Sequence, residues 1–417
     1  MRALVMTFGT RGDIQPYAAL AGALSRARHD VTLAIPEGLG DLVPPPGARS
    51  IDVVPAGSEM LRLVQEVLPD LSGPRDALKT LGVMREAMRG HLDETRRAAE
   101  AFAVDVIVYH PKCLGGPHLA EALGVPGVLS IPLPFYTPTA AHPVPFFGGV
   151  SFGARGNRAT YALGRFPTLA YGRMINDFRA QLGLTGRVGR FDDPLANPDG
   201  SPVQVLYPYS RHVVPVPNDY PPTAHVTGYW FLDRDERLDP ALADFLDAGE
   251  PPVYVGFGSM GFGRGAERRR AAVLGAFAQT GLRGVVATGW GGIAAGSAAS
   301  DDVLVIDGAP HDALFPRCAA VVHHGGAGST AAGLRAGRPS LVVPFLGDQP
   351  FWGNRVHALG AGPKPLAPAR LEHGLAERLA QLVGAPSYAR RAGAVGEGIR
   401  GEDGLGAAVG ILEEIVG

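Results

Sequence analysis

Short apolar runs alternate with longer stretches of helical period along almost the whole chain. In the N-terminal half, residues 2 to 6 are apolar enough for a buried strand. Thr7 to Asp13 reads as a turn, and a helix is expected from about Pro16 to Arg26, with Leu20, Ala23 and Leu24 on its apolar face. A second strand covers Val31 to Ile35. Residues 74 to 103 carry one or two polar helices, Val104 to Tyr109 a strand, 116 to 123 a helix and Gly127 to Ile131 another strand. Pro132 to Phe147 is rich in Pro, Phe and Tyr; such a loop is not expected in the core, and it reads equally as the lining of an apolar ligand pocket or as a Pro-stiffened excursion. Residues 185 to 224 lose helical period and gather prolines, the composition of an interdomain connection.

The pattern restarts at Pro252. Strands are expected at Val253 to Phe257, Gly284 to Thr288, Val303 to Ile306, Ala319 to Val322 and Ser340 to Val343. Helices fall at about 265 to 279, 327 to 336, 350 to 359, 369 to 383 and 386 to 397, with a last one over about Gly404 to Val416. Alternating strands and helices in both halves predict an α/β protein with two Rossmann-like, parallel-sheet domains. The boundaries drawn are 1–210 for the first domain, 211–235 for a linker, 236–400 for the second domain and 401–417 for a final helix.

Composition narrows the class. The chain has 417 residues, a net charge of −2 and no block of like charges, which argues against nucleic acid as a partner. Only Cys113 and Cys318 occur, too few for a disulfide framework or a zinc site. The start is too short and too soon polar for a signal peptide, and no stretch approaches the ~20 apolar residues of a membrane span. These features together predict a soluble, cytoplasmic protein whose oligomeric state is open.

Candidate chemistry collects at strand ends. After the apolar run 319 to 322 comes His323-His324-Gly325-Gly326-Ala327-Gly328-Ser329-Thr330, a Gly-rich turn entering a helix. The helix dipole and free amides there suit an anion such as a diphosphate. One more strand delivers Asp348 and Gln349 to the same end of the sheet, where open α/β sheets bind ligands. Ser259, Trp290 and Pro310-His311 follow the other strands. Singly, Ser259 suits a helix cap, Trp290 packing and His324 a satisfied core histidine; the set favours one ligand crevice. In the first half, glycines at 9 and 12 do not make the G-x-G-x-x-G dinucleotide fingerprint. Asp13 is either a polar residue near a helix start or a general base facing a cleft. His110, alone after its strand, reads as structural more readily than as catalytic.

The residues carry a family likeness. His323 to Gln349 resembles the donor signature of family 1, nucleotide-sugar-dependent glycosyltransferases of the GT-B fold. Gly9-Thr10-Arg11-Gly12-Asp13-Ile14-Gln15-Pro16, Gly256-Phe257-Gly258-Ser259, Ala309-Pro310-His311-Asp312 and Gly347-Asp348-Gln349-Pro350-Phe351-Trp352-Gly353 support it. Together they look most like the sterol-glucosyltransferase and antibiotic-glycosyltransferase branch. The resemblance implies two domains facing across a cleft, with the final helix crossing back to the first. It implies donor contacts at Ser259, Trp290, Ala309, His311, His324, Gly326, Gly328, Ser329, Thr330, Asp348 and Gln349, and Asp13 as general base. Acceptor contacts are expected at Thr10, His110, Phe135, Tyr136 and Phe146. The chain departs from many relatives at Ala332, where they carry a ribose-binding Glu; UDP- and dTDP-sugars both stay open.

The expected reaction is inverting transfer of a sugar from such a donor to a lipophilic small molecule, without cofactor or metal, because the helix dipole, amides, His324 and hydroxyls can meet the developing diphosphate charge. Two other classes remain: a sugar-nucleotide 2-epimerase of the same fold, and a non-catalytic auxiliary of another glycosyltransferase. The apolar 132–147 loop weighs against the first, and the Asp348-Gln349 pair with His324 against the second.

Overall fold

Strand β1 (Arg2–Met6) is buried from Ala3 onward on both faces, as a central parallel strand must be. It sits in a seven-stranded, all-parallel sheet with β2 (Asp30–Ile35), β3 (Ile51–Pro55), β4 (Val106–Tyr109), β5 (Gly127–Ser130), β6 (Gln204–Tyr207) and β7 (Ala224–Val226). The order β3-β2-β1-β4-β5-β6-β7 reverses direction between β1 and β4. A second, five-stranded parallel sheet holds β8 (Val253–Gly256), β9 (Gly284–Ala287), β10 (Val303–Ile306), β11 (Ala320–His323) and β12 (Ser340–Val342). Its order β10-β9-β8-β11-β12 reverses between β8 and β11. Ligands of open α/β sheets bind outside the carboxyl ends of the strands at such reversals. The computed structural model describes residues 1–63, 74–234, 236–258, 265–289, 293 and 300–417, with the side chains of 74–81 left aside.

Several elements differ from the sequence reading. The first helix begins at Arg11, five residues before Pro16, because Thr10 and Asp13 form a capping box at its start. Pro16 lies inside the helix, where the N–H it lacks would have paired with the carbonyl of Gly12. Residues 74 to 101, read as one or two helices, are one. The Pro-rich stretch read as a connection contributes β6 and β7, and β7 is the edge strand of the first sheet.

The 132–147 loop needs the clearest correction. Leu133, Phe135, Tyr136 and Val144 belong to the main apolar core. The loop can enter the core because distant side chains satisfy its backbone. The Tyr207 hydroxyl accepts from the Thr137 amide at 2.9 Å, and the Asp219 carboxylate accepts from the Ala140 amide at 2.9 Å and the Thr139 hydroxyl at 2.6 Å.

That same core continues without a break from Leu4 and Tyr109 of the first sheet, through Tyr209 and Tyr229, to Trp352 and Ile399 of the second unit. Arg355 ties the two further, donating twice to the carbonyl of Val213 at 2.9 and 2.7 Å. The final helix, Gly404–Val416, packs on the first unit: Ala408, Val409 and Leu412 share a core with Tyr17, Leu20 and Leu24. The Trp230 indole donates to the Gly404 carbonyl at 3.1 Å, anchoring the start of that helix.

Candidate active site

At the first reversal point, β1 delivers Thr10 and Asp13, and β4 delivers His110 and Lys112. Asp13 is held on both oxygens. One accepts from the Lys112 ammonium at 2.5 Å, the other from the Thr10 amide at 2.9 Å and the Thr10 hydroxyl at 3.3 Å. Burial by itself would raise the Asp13 pKa, but the Lys112 charge and these donors outweigh it and hold the carboxyl below its usual value. A quarter of the side chain stays exposed, so a reacting group can reach it. Gly9 is required beside it: its φ is +133°, and a Cβ there would fall 2.2 Å from an Asp13 oxygen.

His110 is buried, its Nδ1 accepting from the Lys112 amide at 3.1 Å and its ring edge-on to Tyr17 at 5.9 Å. Burial, assisted by the Lys112 charge, pushes its pKa down to about 3, so the ring is neutral. Phe135 and Tyr136 sit in the core wall with their rings edge to face at 5.1 Å, while Phe146 reaches outward against Phe135 at 5.2 Å.

The second reversal point carries the Gly-rich turn. The helix Ala327–Arg335 begins after Gly326, so the first-turn amides at Ala327, Gly328 and Ser329 have no carbonyl within the helix to pair with. Gly328 is exposed and a Cβ there would meet open space. The His324 ring lies between Gly326 and Gly258: a Cβ on Gly326 would come 2.6 Å from its Nε2, and one on Gly258 3.3 Å from its Cε1. Its Nδ1 is buried with no partner among the described residues, and burial lowers its pKa to about 4, leaving a neutral imidazole. Thr330 is turned inward, donating to the Gly326 carbonyl at 2.9 Å. His323, next to His324, is structural: its Nδ1 accepts from the Gly325 amide at 3.0 Å.

Around this turn, Ala309 and His311 stand after β10. The His311 ring stacks on Phe315 with centroids 4.2 Å apart and meets Tyr254 edge-on at 5.8 Å. Asp348, beyond β12, accepts from the Trp352 indole at 2.8 Å. Burial, and the nearby negative charge of Asp13, raise its pKa. Gln349 is buried, and its side-chain oxygen accepts from the Phe345 and Leu346 amides at 2.7 and 3.1 Å, fixing the turn that presents Asp348. Ser259 and Trp290 lie outside the described residues.

The charges of Asp13 and Lys112 are both felt at Asp348, so the two reversal points face each other. Arg11 is felt in the same way at His311; it is exposed and has no ion-pair partner among the described residues. Lys112 and Arg11 are the site residues that the sequence reading passes over. A charged side chain just past a strand end was the available signal for both.

Two family profiles match the chain: the glycosyltransferase family 28 N-terminal domain over residues 3–142, and the C-terminal domain of erythromycin biosynthesis protein CIII-like proteins over residues 285–403. An O-mycaminosyltylonolide 6-deoxyallosyltransferase of Streptomyces fradiae is 34% identical, over 99% of this chain and 97% of that protein. The chain belongs to the GT-B glycosyltransferases of the sterol and antibiotic branch. A sterol 3-beta-glucosyltransferase of Arabidopsis thaliana is 35% identical over 88% of this chain, which spans only 58% of the plant protein's length. Among solved structures, the glycotransferase of kitacinnamycin superposes with a TM-score of 0.74 at 20% identity, over 100% of this chain and 99% of that one. The calicheamicin glycosyltransferase follows at 0.71 and 18%, over 99% and 98%. These structural likenesses establish the GT-B fold. The family 28 profile takes in Asp13 and Lys112, and the second profile takes in His311, His324 and Asp348.

Proposed function

We propose that this glycosyltransferase moves a sugar from a UDP- or dTDP-sugar to a hydroxyl of a lipophilic acceptor, a sterol or a macrolide-like aglycone, with inversion at the anomeric carbon. The observation that carries the reading is the opposition of an ionised, partly exposed Asp13 at one reversal point to the helix terminus and neutral His324 at the other. The relatives' names supply the acceptors that suggest these classes, a sterol and O-mycaminosyltylonolide.

In this reading the donor diphosphate lies on the first turn of the Ala327–Arg335 helix, with His324 as a hydrogen-bond donor to it. Asp348 binds sugar hydroxyls, and Gln349 holds the turn that aims it. The acceptor hydroxyl reaches Asp13 past Thr10 and the Phe135, Tyr136 and Phe146 wall. As its oxygen bonds to the anomeric carbon, its proton passes to the Asp13 carboxylate. The bond from that carbon to the diphosphate oxygen breaks on the opposite face, and the nucleoside diphosphate leaves with the electron pair. Helix amides and His324 meet the charge that develops there, a role that needs no metal.

The test is the purified protein with UDP- and dTDP-sugars and a panel of sterols and macrolide aglycones, read by nucleotide release, product mass and anomeric configuration. We expect an inverted glycoside, and turnover unchanged by EDTA. Sugar-nucleotide conversion without acceptor would make the chain an epimerase instead, and a product of retained configuration would remove the single displacement. A placed base contributes ~10²–10⁴-fold, so Asp13→Asn should lower kcat by about that range while donor binding persists. Near-normal turnover in that variant would take the role from Asp13.

A further inference from the structure

Half of the exposed large apolar side chains among the described residues fall between Phe146 and Leu169. They occupy one continuous excursion of the first unit: a loop, the helix Gly153–Thr160, a 3-10 turn and the helix Phe166–Gln181. Val150, Phe152, Phe166 and Leu169 are 60%, 49%, 64% and 57% exposed, more than isolated surface apolar residues require. In the second helix, Phe166, Leu169 and Arg173 are spaced three and four apart and share one outward face. Met174, Ile175 and Phe178 turn inward to the core, so the outward apolar side chains are not left over from packing.

The charge of residues 150–173 is one-sided, the exposed Asp177 coming one turn beyond Arg173 in the same helix. From Ala122 to Asn176 the chain has no Asp or Glu, while Arg155, Arg158, Arg165 and Arg173 lie within it. Arg158 is held by Asp219 at 2.7 Å; among the described residues Arg155, Arg165 and Arg173 have no ion-pair partner. Apolar side chains interleaved with unpaired arginines on a helix surface match the interface of a bilayer with anionic headgroups. The excursion also stands at the mouth of the cleft. The Asn354 side chain donates to the Gly148 carbonyl, and Gly148 packs against Pro350, two residues from Asp348.

We propose that the face carried by residues 150–173 docks on the surface of a membrane containing anionic phospholipids, seating the cleft mouth at the headgroups. The docking goes beyond the catalytic reading and is read without turnover. The test is sedimentation of the intact protein with vesicles of phosphatidylcholine alone and of phosphatidylcholine mixed with phosphatidylglycerol. Binding is expected to the mixed vesicles, weaker to the neutral ones, and to fall with added salt. Replacing Phe166 and Leu169 together by Asp should lower partitioning about tenfold or more, and Arg155→Gln and Arg173→Gln about fivefold each. The arginine variants change only exposed, unpaired side chains, so they keep the test open if the first variant fails to fold. Binding to neither vesicle, or unchanged binding in folded variants, would overturn the proposal. So would a dimer in solution that the same substitutions dissociate, which would assign the face to a second copy of the chain.

Discussion

Asp13 meets two demands that pull in opposite directions. It caps the helix that follows β1, and in the proposed reaction it must take a proton. Lys112 mediates between them. Its ammonium keeps the buried carboxyl ionised, at the expense of basicity, and the ion pair must loosen as the acceptor proton arrives. Removing the cation therefore has a signed consequence. In Lys112→Met, burial would no longer be opposed by that charge, and the Asp13 pKa would rise. The acid limb of the kcat/KM profile, which reports the free enzyme's essential base, should move to higher pH while the neutral rate survives. An unmoved limb would show that Lys112 does not set the ionisation of the base. The linked effect on stability has the same origin: the carboxyl's contribution is present above its unfolded value and is lost as pH falls through the lower folded one.

At the scale of elements, the donor side depends on how closely the Gly-rich turn wraps His324. Gly326→Ala would drive a Cβ to 2.6 Å from the ring's Nε2. At that distance the ring must shift, toward Gly258 on its other side. Overpacking of this kind costs about 1–3 kcal/mol. The expected result is a folded protein with nucleoside diphosphate affinity lowered about tenfold, or about 1.4 kcal/mol by calorimetric titration. Wild-type affinity would remove His324 and its turn from the phosphate site. This turn, and the strands that lead to it, were legible in the sequence because strands buried on both faces read as apolar runs and their ends collect polar residues. Long-range satisfaction was not legible. The prolines of the 132–147 stretch say nothing of Tyr207 and Asp219, which pair its backbone and let it enter the core. Nor does Pro16 disclose the helix start, which the Thr10–Asp13 pair sets five residues earlier. The partnership of Asp13 with Lys112 spans 99 positions, and local spacing cannot carry such a contact.

At the scale of the whole molecule, the two units are joined by one continuous core, and both units hold histidines that burial keeps neutral. Burial lowers the pKa of His91, His311 and His324 to about 4 and that of His110 and His323 to about 3. The sign follows from where protons bind. Between the unfolded value near 6.5 and these folded values, the unfolded chain takes up protons that the folded chain refuses, so stability falls as pH falls through that window. Each such histidine adds about 1.4 kcal/mol per pH unit to the slope. His91 isolates the effect because it has no part in the proposed reaction. It is 1% exposed, neither ring nitrogen has a partner among the described residues, and it packs edge-on against Phe8 at 4.5 Å. His91→Leu removes a titrating group and two unsatisfied nitrogens from the core. Its melting temperature at pH 7 should equal or exceed that of the parent, and its decline toward pH 4.5 should be shallower. Melting curves recorded across that range decide the matter, since an unchanged slope would mean that His91 is not buried neutral in the folded protein.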